Sequence, residues 1–194
     1  DDSINDLIPN RLIPDAMAKS EFMQMTRQNL RTLMLNMGNW SNLKKLTEGM
    51  KISEMDLRRF VDEHATAKDV AWVNGVWKVF NELKPLADEV QARDTGVPSD
   101  TIPAVPWDVK KGKLEGGYYP LSYDPYNSDI QGRIASPLFD KGYFAATTPH
   151  GYTRERTGYT GAIDLSGDFL ASKIQGMVHD IAFREAVRNG EKLI

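Results

Sequence analysis

Residues 66–90, with the sequence TAKDVAWVNGVWKVFNELKPLADEV, predict a long helix. Thr66 is followed three residues later by Asp69, a pattern that caps a helix N-terminus because the hydroxyl can accept from that amide. Behind the cap, apolar residues recur at intervals of three and four, which is typical of a helix with one buried face: Val73, Val76, Phe80, Leu83, Ala87 and Val90. Pro85 lies inside the run and is expected to kink or divide the helix, since it removes a donor and crowds the preceding turn.

Three shorter helices are predicted upstream. Apolar residues recur at helical spacing between residues 15 and 37, and Gly38 follows them where a left-handed C-terminal cap is expected. Ser41 is placed to cap a short second helix. Ser53 is a stronger start signal, because its hydroxyl can accept from the amide of Asp56, whose charge suits the first turn.

The pattern changes after the long helix. Residues 95–108 contain glycine and prolines that cannot continue a helix. Residues 114–123 are aromatic and predict a small strand or hairpin piece. Residues 124–161 are rich in Gly, Ser, Pro and Tyr and predict a long irregular connection. Helical spacing returns at Ser166, which is expected to cap a last helix that ends near Asn189.

Together these patterns predict one mainly α domain, with a helical bundle-like core, a small β element and a long irregular Gly/Tyr/Pro-rich segment. Residues 1–94 are predicted to form the helical region. Residues 95–165 are predicted as a linker and irregular or β segment that wraps the core. Residues 166–194 are predicted as a C-terminal helix that packs on the helical region.

Two further expectations concern individual side chains. The spacing of Asp180 and Arg184 suits an ordinary surface ion pair on a helix, worth a few tenths of a kcal/mol. Tryptophan is more often a core residue than a ligand platform, and a core role is the expectation for Trp40, Trp72, Trp77 and Trp107. Trp72 and Trp77 are five residues apart and face different sides of the helix, so one of them is a candidate for a boundary with a neighbouring domain.

Composition excludes several classes of function. Hydrophobic residues make up 41% of the chain and charged residues 26%, as in ordinary globular proteins. The net charge is −3, from 24 basic and 27 acidic residues, and does not favour strong nucleic-acid binding. The chain has no cysteine, which excludes disulfides, cysteine–zinc sites, iron–sulfur clusters and thiol nucleophiles. No apolar run approaches the roughly 18 residues that span a bilayer.

No complete catalytic or cofactor site is visible in the sequence. The three histidines, His64, His150 and His179, are far apart and form no metal-ligand spacing. Neither type of glycine-rich phosphate loop is present. The adjacent carboxylates Asp62 and Glu63 would diverge by about 100° on a helix rather than converge. We therefore expect no metal, no cofactor and no enzymatic activity in this chain.

Two polar clusters are candidates for binding. The segment 147–161 concentrates Arg and Tyr side chains that either contact a partner or tie an irregular loop to the helices: His150, Tyr152, Arg154, Arg156 and Tyr159. A second cluster, Lys110, Lys111 and Lys113, is a candidate basic patch for a nucleic-acid-contacting module. An enzyme accessory or cryptic hydrolase around His150, Glu155 and Tyr159 is the weakest alternative, because no nucleophile or metal spacing accompanies these residues.

Three motifs in a fixed order resemble a module of large polyvalent proteins of phages and mobile elements. The first is Gly-Gly-Tyr-Tyr-Pro, residues 116–120, with Tyr123-Asp124 after it. The second, residues 154–165, begins Arg-Glu-Arg-Thr-Gly and ends Asp-Leu, and the third is His-Asp-Ile-Ala-Phe-Arg-Glu-Ala at residues 179–186. The likeness covers roughly residues 33–194 and includes Trp72 and Trp77.

The resemblance implies a noncatalytic structural or interaction region of a giant multidomain chain that is packaged in the virion and ejected with the genome. Its enzymatic domains would lie elsewhere in the parent chain. The implied partners are other domains of that chain and other virion proteins, and the implied location is the virion and then the host bacterial cytoplasm. An accessory module of a virion-packaged enzyme such as a polymerase, with weak nucleic-acid contact, is the alternative. A start at Asp1 instead of Met leads us to expect a fragment of a longer protein.

Overall fold

The computed structural model of the protein describes residues 7–9, 24–97, 102–123 and 162–191. The fold is mainly helical with small antiparallel β elements, which confirms the predicted class. The helices are α1 (Arg27–Asn36), α2 (Trp40–Met50), α3 (Glu54–His64), α4 (Ala67–Thr95) and α5 (Leu170–Glu191). The strands are β1 (Leu7–Pro9), β2 (Gln24–Thr26), β3 (Trp107–Val109) and β4 (Gly112–Leu114).

The strands form two separate antiparallel pairs. β1 pairs with β2, with Ile8 opposite Met25, and β3 pairs with β4. The second pair is a hairpin at Trp107–Leu114 and not within residues 115–123, where the sequence also predicted β structure. Trp107 and Val109 are buried, while Asp108 between them is exposed. The alternation of apolar and polar residues therefore indicated the strand better than the aromatic content did.

Two helix starts follow the sequence prediction. The Ser53 hydroxyl accepts from the amide of Asp56 at 3.1 Å. Thr66 and Asp69 form a reciprocal capping box, in which each side chain accepts from the other's backbone amide. α4 then continues without division through Pro85 to Thr95, so the predicted break is not observed. It ends at Gly96, whose φ of 76° is the left-handed cap.

Other boundaries differ from the prediction. α1 begins at Arg27 instead of residue 15, because Thr26 and Asn29 form a capping box directly after β2. α2 is capped by Asn39, whose side chain accepts from the Asn42 amide, and not by Ser41. α5 begins at Leu170, while Ser166 accepts from the Asp168 amide in the turn that precedes the helix. At α2 the actual cap lies only two residues before the predicted one, because both are short polar side chains that can accept from nearby amides.

α4 is the central helix of the core and contacts α1, α5 and β4. Its side chains Val73, Trp77 and Phe80 are fully buried. Trp107 is also buried and Trp72 is partly buried, as expected for core tryptophans. Trp40 is 59% exposed, so the expectation that it is a core residue was wrong: it occupies the first position of α2, where the side chain points away from the core.

Residues 102–121 contribute several buried side chains to the core, although nearly half of the segment is exposed. The carbonyl oxygen of Gly38 accepts hydrogen bonds from the amides of Val105 (2.9 Å) and Gly117 (2.8 Å). Asn39 forms an isolated antiparallel bridge with Ala104. Leu114 is fully buried and packs in the same core cluster as the helices. This segment therefore closes the helical core that α1 and α4 begin.

Candidate interaction surfaces

Asp69 is a buried carboxylate that accepts several hydrogen bonds and stabilises the fold. It is fully buried and accepts from Arg27 Nη1 at 2.6 Å and from Arg31 Nε at 2.8 Å. The Arg31 guanidinium also lies 5.3 Å from the ring centroid of Trp72. Burial by itself would raise the pKa of the Asp69 carboxyl, but hydrogen bonds from Thr66 and Arg31 and the charge of Arg27 together hold that pKa below its usual value.

A low pKa and fully engaged oxygens make Asp69 unsuitable as a general base. Its role is to tie α1 to the N-terminus of α4. The sequence identified Asp69 only as a helix cap. Arg27 and Arg31 lie four residues apart and therefore on one side of α1, which is the only local signal for a shared acidic partner.

Three buried asparagines hold the Gly-Gly-Tyr-Tyr motif in place. Asn39 Nδ2 donates to the carbonyl of Gly117 at 3.1 Å. Asn42 Nδ2 donates to the carbonyl of Tyr119 at 2.9 Å and to Asn36 Oδ1 at 3.2 Å. Because these amides satisfy backbone carbonyls in the interior, the motif is a structural element of the core.

The aromatic residues of that motif also pack in the core. Tyr119 is almost completely buried, and its ring packs edge-on against Phe80 and tilted against Phe169. Burial raises the pKa of the Tyr119 hydroxyl well above its usual value, so it is neutral at any physiological pH. Neither Tyr119 nor its glycine neighbours presents a reactive group to solvent.

The histidines of the described residues do not converge. His64 ends α3, with its ring centroid 4.6 Å from that of Phe60. His179 lies on α5, exposed, with its ring centroid 4.9 Å from that of Phe183. Within the described ranges, no group of three or more His, Asp or Glu side chains is positioned to hold a metal ion.

The candidate basic patch lies at the tip of the β3–β4 hairpin. Lys110, Lys111 and Lys113 are all exposed. Acidic residues are interspersed among them: Lys113 lies directly opposite Asp108 in the hairpin, and the Lys110 amide donates to the carboxylate of Asp62 at 3.0 Å. The structure therefore brings the three lysines together but surrounds them with opposite charge, which weakens attraction for phosphate.

α5 carries an unusual exposed surface, named here the α5 outer face. Its members are the described exposed residues of the helix: Ala171, Ser172, Gln175, Val178, His179, Ala182, Phe183, Ala186, Asn189 and Gly190. None of them carries a formal charge at neutral pH with histidine neutral. Val178 is 47% exposed and Phe183 is 52% exposed. Spacing of three and four places these residues on one side of the helix.

One ion pair of α5 is buried, while two large apolar residues of the same helix, Val178 and Phe183, are exposed. Asp180 and Arg184 are 3% and 4% exposed, and they pair through Arg184 Nη2 and Asp180 Oδ2 at 2.5 Å. The expectation of an ordinary surface ion pair was therefore wrong. Helical spacing brings two residues together but does not say which side of the helix is covered. A surface helix normally shows the opposite arrangement, with charges toward water.

A second exposed feature is a groove between α2 and the start of α3. It has a volume of about 510 Å³ and is lined by Trp40, Leu43, Lys44, Thr47, Ser53 and Glu54. Its charged residues are already paired along their own helices, Lys44 with Glu48 and Glu54 with Arg58. The groove is open and shallow, and the exposed indole of Trp40 forms one side.

The other candidate residues from the sequence, His150, Tyr152, Arg154, Arg156 and Tyr159, lie outside the described residues, as does the irregular connection at 124–161. The residues on either side of that connection are joined, since Tyr123 and Ile163 form an antiparallel bridge. Among the described helices, none combines the length and apolar character needed to cross a bilayer.

Comparison of the chain with protein-family models, curated proteins and solved structures found no match.

Proposed function

We propose that this chain is a noncatalytic structural and interaction domain of a large phage virion or ejection protein, delivered into the host with the genome. The observation that carries the interaction role is the α5 outer face, which exposes Val178 and Phe183 without a charged residue among its described members. Exposed apolar surface of this kind marks contact with another protein surface.

The noncatalytic part of the proposal is supported by the internal hydrogen bonds that the buried polar side chains form. Asp69, Asn39 and Asn42 all satisfy internal donors or carbonyls, and all three are buried. Reactive groups in an enzyme instead converge on a concave site that admits a substrate. The phage context comes from the motif order at residues 116–120, 154–165 and 179–186 and is part of the same proposal.

The partners we propose are other domains of the same large chain and other virion proteins. The proposed location is the virion, followed by the host bacterial cytoplasm after ejection. The nucleic-acid alternative is less well supported, since acidic side chains lie among Lys110, Lys111 and Lys113.

The experiment follows the parent chain through infection. Mass spectrometry of purified particles should detect its peptides, and fractionation of freshly infected cells, with translation blocked, should recover them from the host cytoplasm. Detection only in cells synthesising new protein, with none in particles, would contradict the delivery role.

A further inference from the structure

We propose that the groove between α2 and the start of α3 is a binding site for an arginine side chain of a partner protein. The guanidinium would stack on the exposed indole of Trp40 and pair with the carboxylate of Glu54, since both residues line the groove. This site goes beyond the function proposed above, because the groove lies on α2 and α3 and shares no residue with the α5 outer face.

Trp72 and Asp69 show how this fold holds a guanidinium. The guanidinium of Arg31 lies 5.3 Å from the ring centroid of Trp72, and its Nε donates to Asp69 Oδ1 at 2.8 Å. The indole face attracts the cation, and the carboxylate fixes its orientation. Asp69 also accepts from Arg27 through Oδ2 at 2.6 Å, so one carboxylate of this fold serves two arginines.

Glu54 forms one of the two arginine contacts that Asp69 forms. Arg58 donates from Nε to Glu54 Oε1 at 2.8 Å, and its guanidinium lies 4.9 Å from the ring centroid of Trp107. Because a carboxylate has two oxygens that accept, Glu54 retains the capacity to bind a second guanidinium, as Asp69 does. The Glu54 side chain is 38% exposed and lines the groove, so a ligand can reach it from solvent.

Trp40 supplies the aromatic half of the site. It is 59% exposed and forms one side of the groove. Among the residues that the structure describes, no arginine or lysine stacks on its ring, in contrast to Trp72 and Trp107. Leu43 and Thr47 follow Trp40 on the same side of α2, so they offer carbon atoms to the methylene stem of an arginine.

Lys44 distinguishes an arginine from an acidic ligand. Lys44 also lines the groove, and its ammonium lies 4.0 Å from the carboxylate of Glu48. Its positive charge repels a guanidinium and attracts a carboxylate, so removal of that charge should strengthen the binding of an arginine. The affinity for a single side chain should be low, because an exposed cation–π contact and an exposed ion pair each contribute little.

The test is an NMR titration of the isotope-labelled chain with three peptides, acetyl-Ala-X-Ala-amide, in which X is arginine, lysine or citrulline. The indole N–H signal of Trp40, identified by its loss in Trp40→Phe, reports binding. We expect the arginine peptide to shift this signal saturably, with a dissociation constant in the millimolar range. The citrulline peptide has nearly the same shape without the charge, and the lysine ammonium lacks a planar face, so both should bind at least about threefold more weakly.

Charge variants test the two sides of the groove. Glu54→Gln should weaken binding of the arginine peptide at least about threefold, and Lys44→Gln should strengthen it by about twofold or more. Glu82→Gln is the matched control, because Glu82 is also an exposed carboxylate with a cationic partner four residues away, and it should leave binding unchanged. Circular dichroism should show the same helix content for every variant.

Three results would overturn the arginine site. These are a Trp40 signal that does not shift saturably in the wild-type chain, equal binding of the citrulline peptide, and weaker binding of the arginine peptide in Lys44→Gln. The peptide acetyl-Ala-Glu-Ala-amide is included for the opposite charge. Tighter binding of that peptide than of the arginine peptide would also overturn the proposal, because the groove would then select a carboxylate through Lys44.

Discussion

The indole ring of Trp77 fills the space that a side chain on Gly38 would need. A Cβ at Gly38 would lie 2.3 Å from Cζ2 of Trp77, far inside van der Waals contact. Trp77 is itself buried at the centre of the core, and Gly117 packs against the same ring from another direction, its own Cβ position 3.0 Å from Cγ. The residue pair therefore joins the α1–α2 turn, α4 and the Gly-Gly-Tyr-Tyr segment.

Gly38→Ala is predicted to destabilise the fold. The ring cannot move freely in a packed core, so the added methyl forces a shift that costs about 1–3 kcal/mol. Urea unfolding followed by tryptophan fluorescence measures this cost as a lower midpoint. Gly75→Ala is the control, because nothing lies within 4 Å of its Cβ position in α4, and helix propensity should raise stability by about 0.5–1 kcal/mol. Equal stability of Gly38→Ala and wild type would refute the role given to this contact.

Asp69→Asn is predicted to lower the melting temperature at pH 7. The change leaves Arg27 and Arg31 without their carboxylate partner, which costs about 3 kcal/mol for a largely buried pair. That corresponds to a decrease of about 6–12 °C for a chain of this size. Glu82→Gln, also on α4 but exposed, should leave the melting temperature nearly unchanged.

The contribution of Asp69 should depend on pH in a defined direction. Because its pKa is lowered in the folded state, the carboxylate stabilises the fold above the unfolded pKa of about 3.8. That contribution is lost as pH falls through the folded pKa. The difference in unfolding free energy between wild type and Asp69→Asn should therefore be constant above about pH 5 and shrink below pH 3.8. A difference that grows on acidification would be inconsistent with a carboxylate held in its charged form.

The hairpin lysines are predicted not to form a nucleic-acid site. Binding of the chain to a fluorescent single-stranded or duplex DNA should be weak and should change little when Lys110, Lys111 and Lys113 are all replaced by Gln. The reason is the interspersed acidic residues, including Asp108 opposite Lys113. Fluorescence anisotropy across a salt series measures this. Tight binding that falls steeply with salt and is abolished in the triple variant would restore the nucleic-acid alternative.

Local signals in the sequence were sufficient for several features. The caps at Ser53 and Thr66 were predictable, because donor and acceptor lie within three residues of each other. The long helix from Ala67 was predictable from its apolar period, although Pro85 suggested a break, and the helix continues through that exposed position. The mainly α class followed from the same patterns.

Other features depend on contacts distant in sequence. Gly38 was expected to be a left-handed cap, but it is not among the positive-φ glycines, and its small size is needed because Trp77 packs on it. The start of α1 was missed because β2 pairs with β1, residues that no local period connects. Burial of Asp180 and Arg184 could not be read from their spacing. Part of the α5 outer face could have been predicted, since a helical projection of residues 170–186 places Lys173, Asp180 and Arg184 on the opposite side.

The central claim is that the α5 outer face is the contact surface of this domain. It is tested most directly by placing the photo-crosslinking residue p-benzoylphenylalanine at position 178 of the parent chain, and in a separate variant at position 78, the exposed charged side of α4. Irradiation of assembled particles, followed by mass spectrometry, identifies what each position touches. The account predicts a defined protein crosslink from position 178 and none from position 78. Equal, diffuse crosslinking from both positions, or none from position 178, would contradict it.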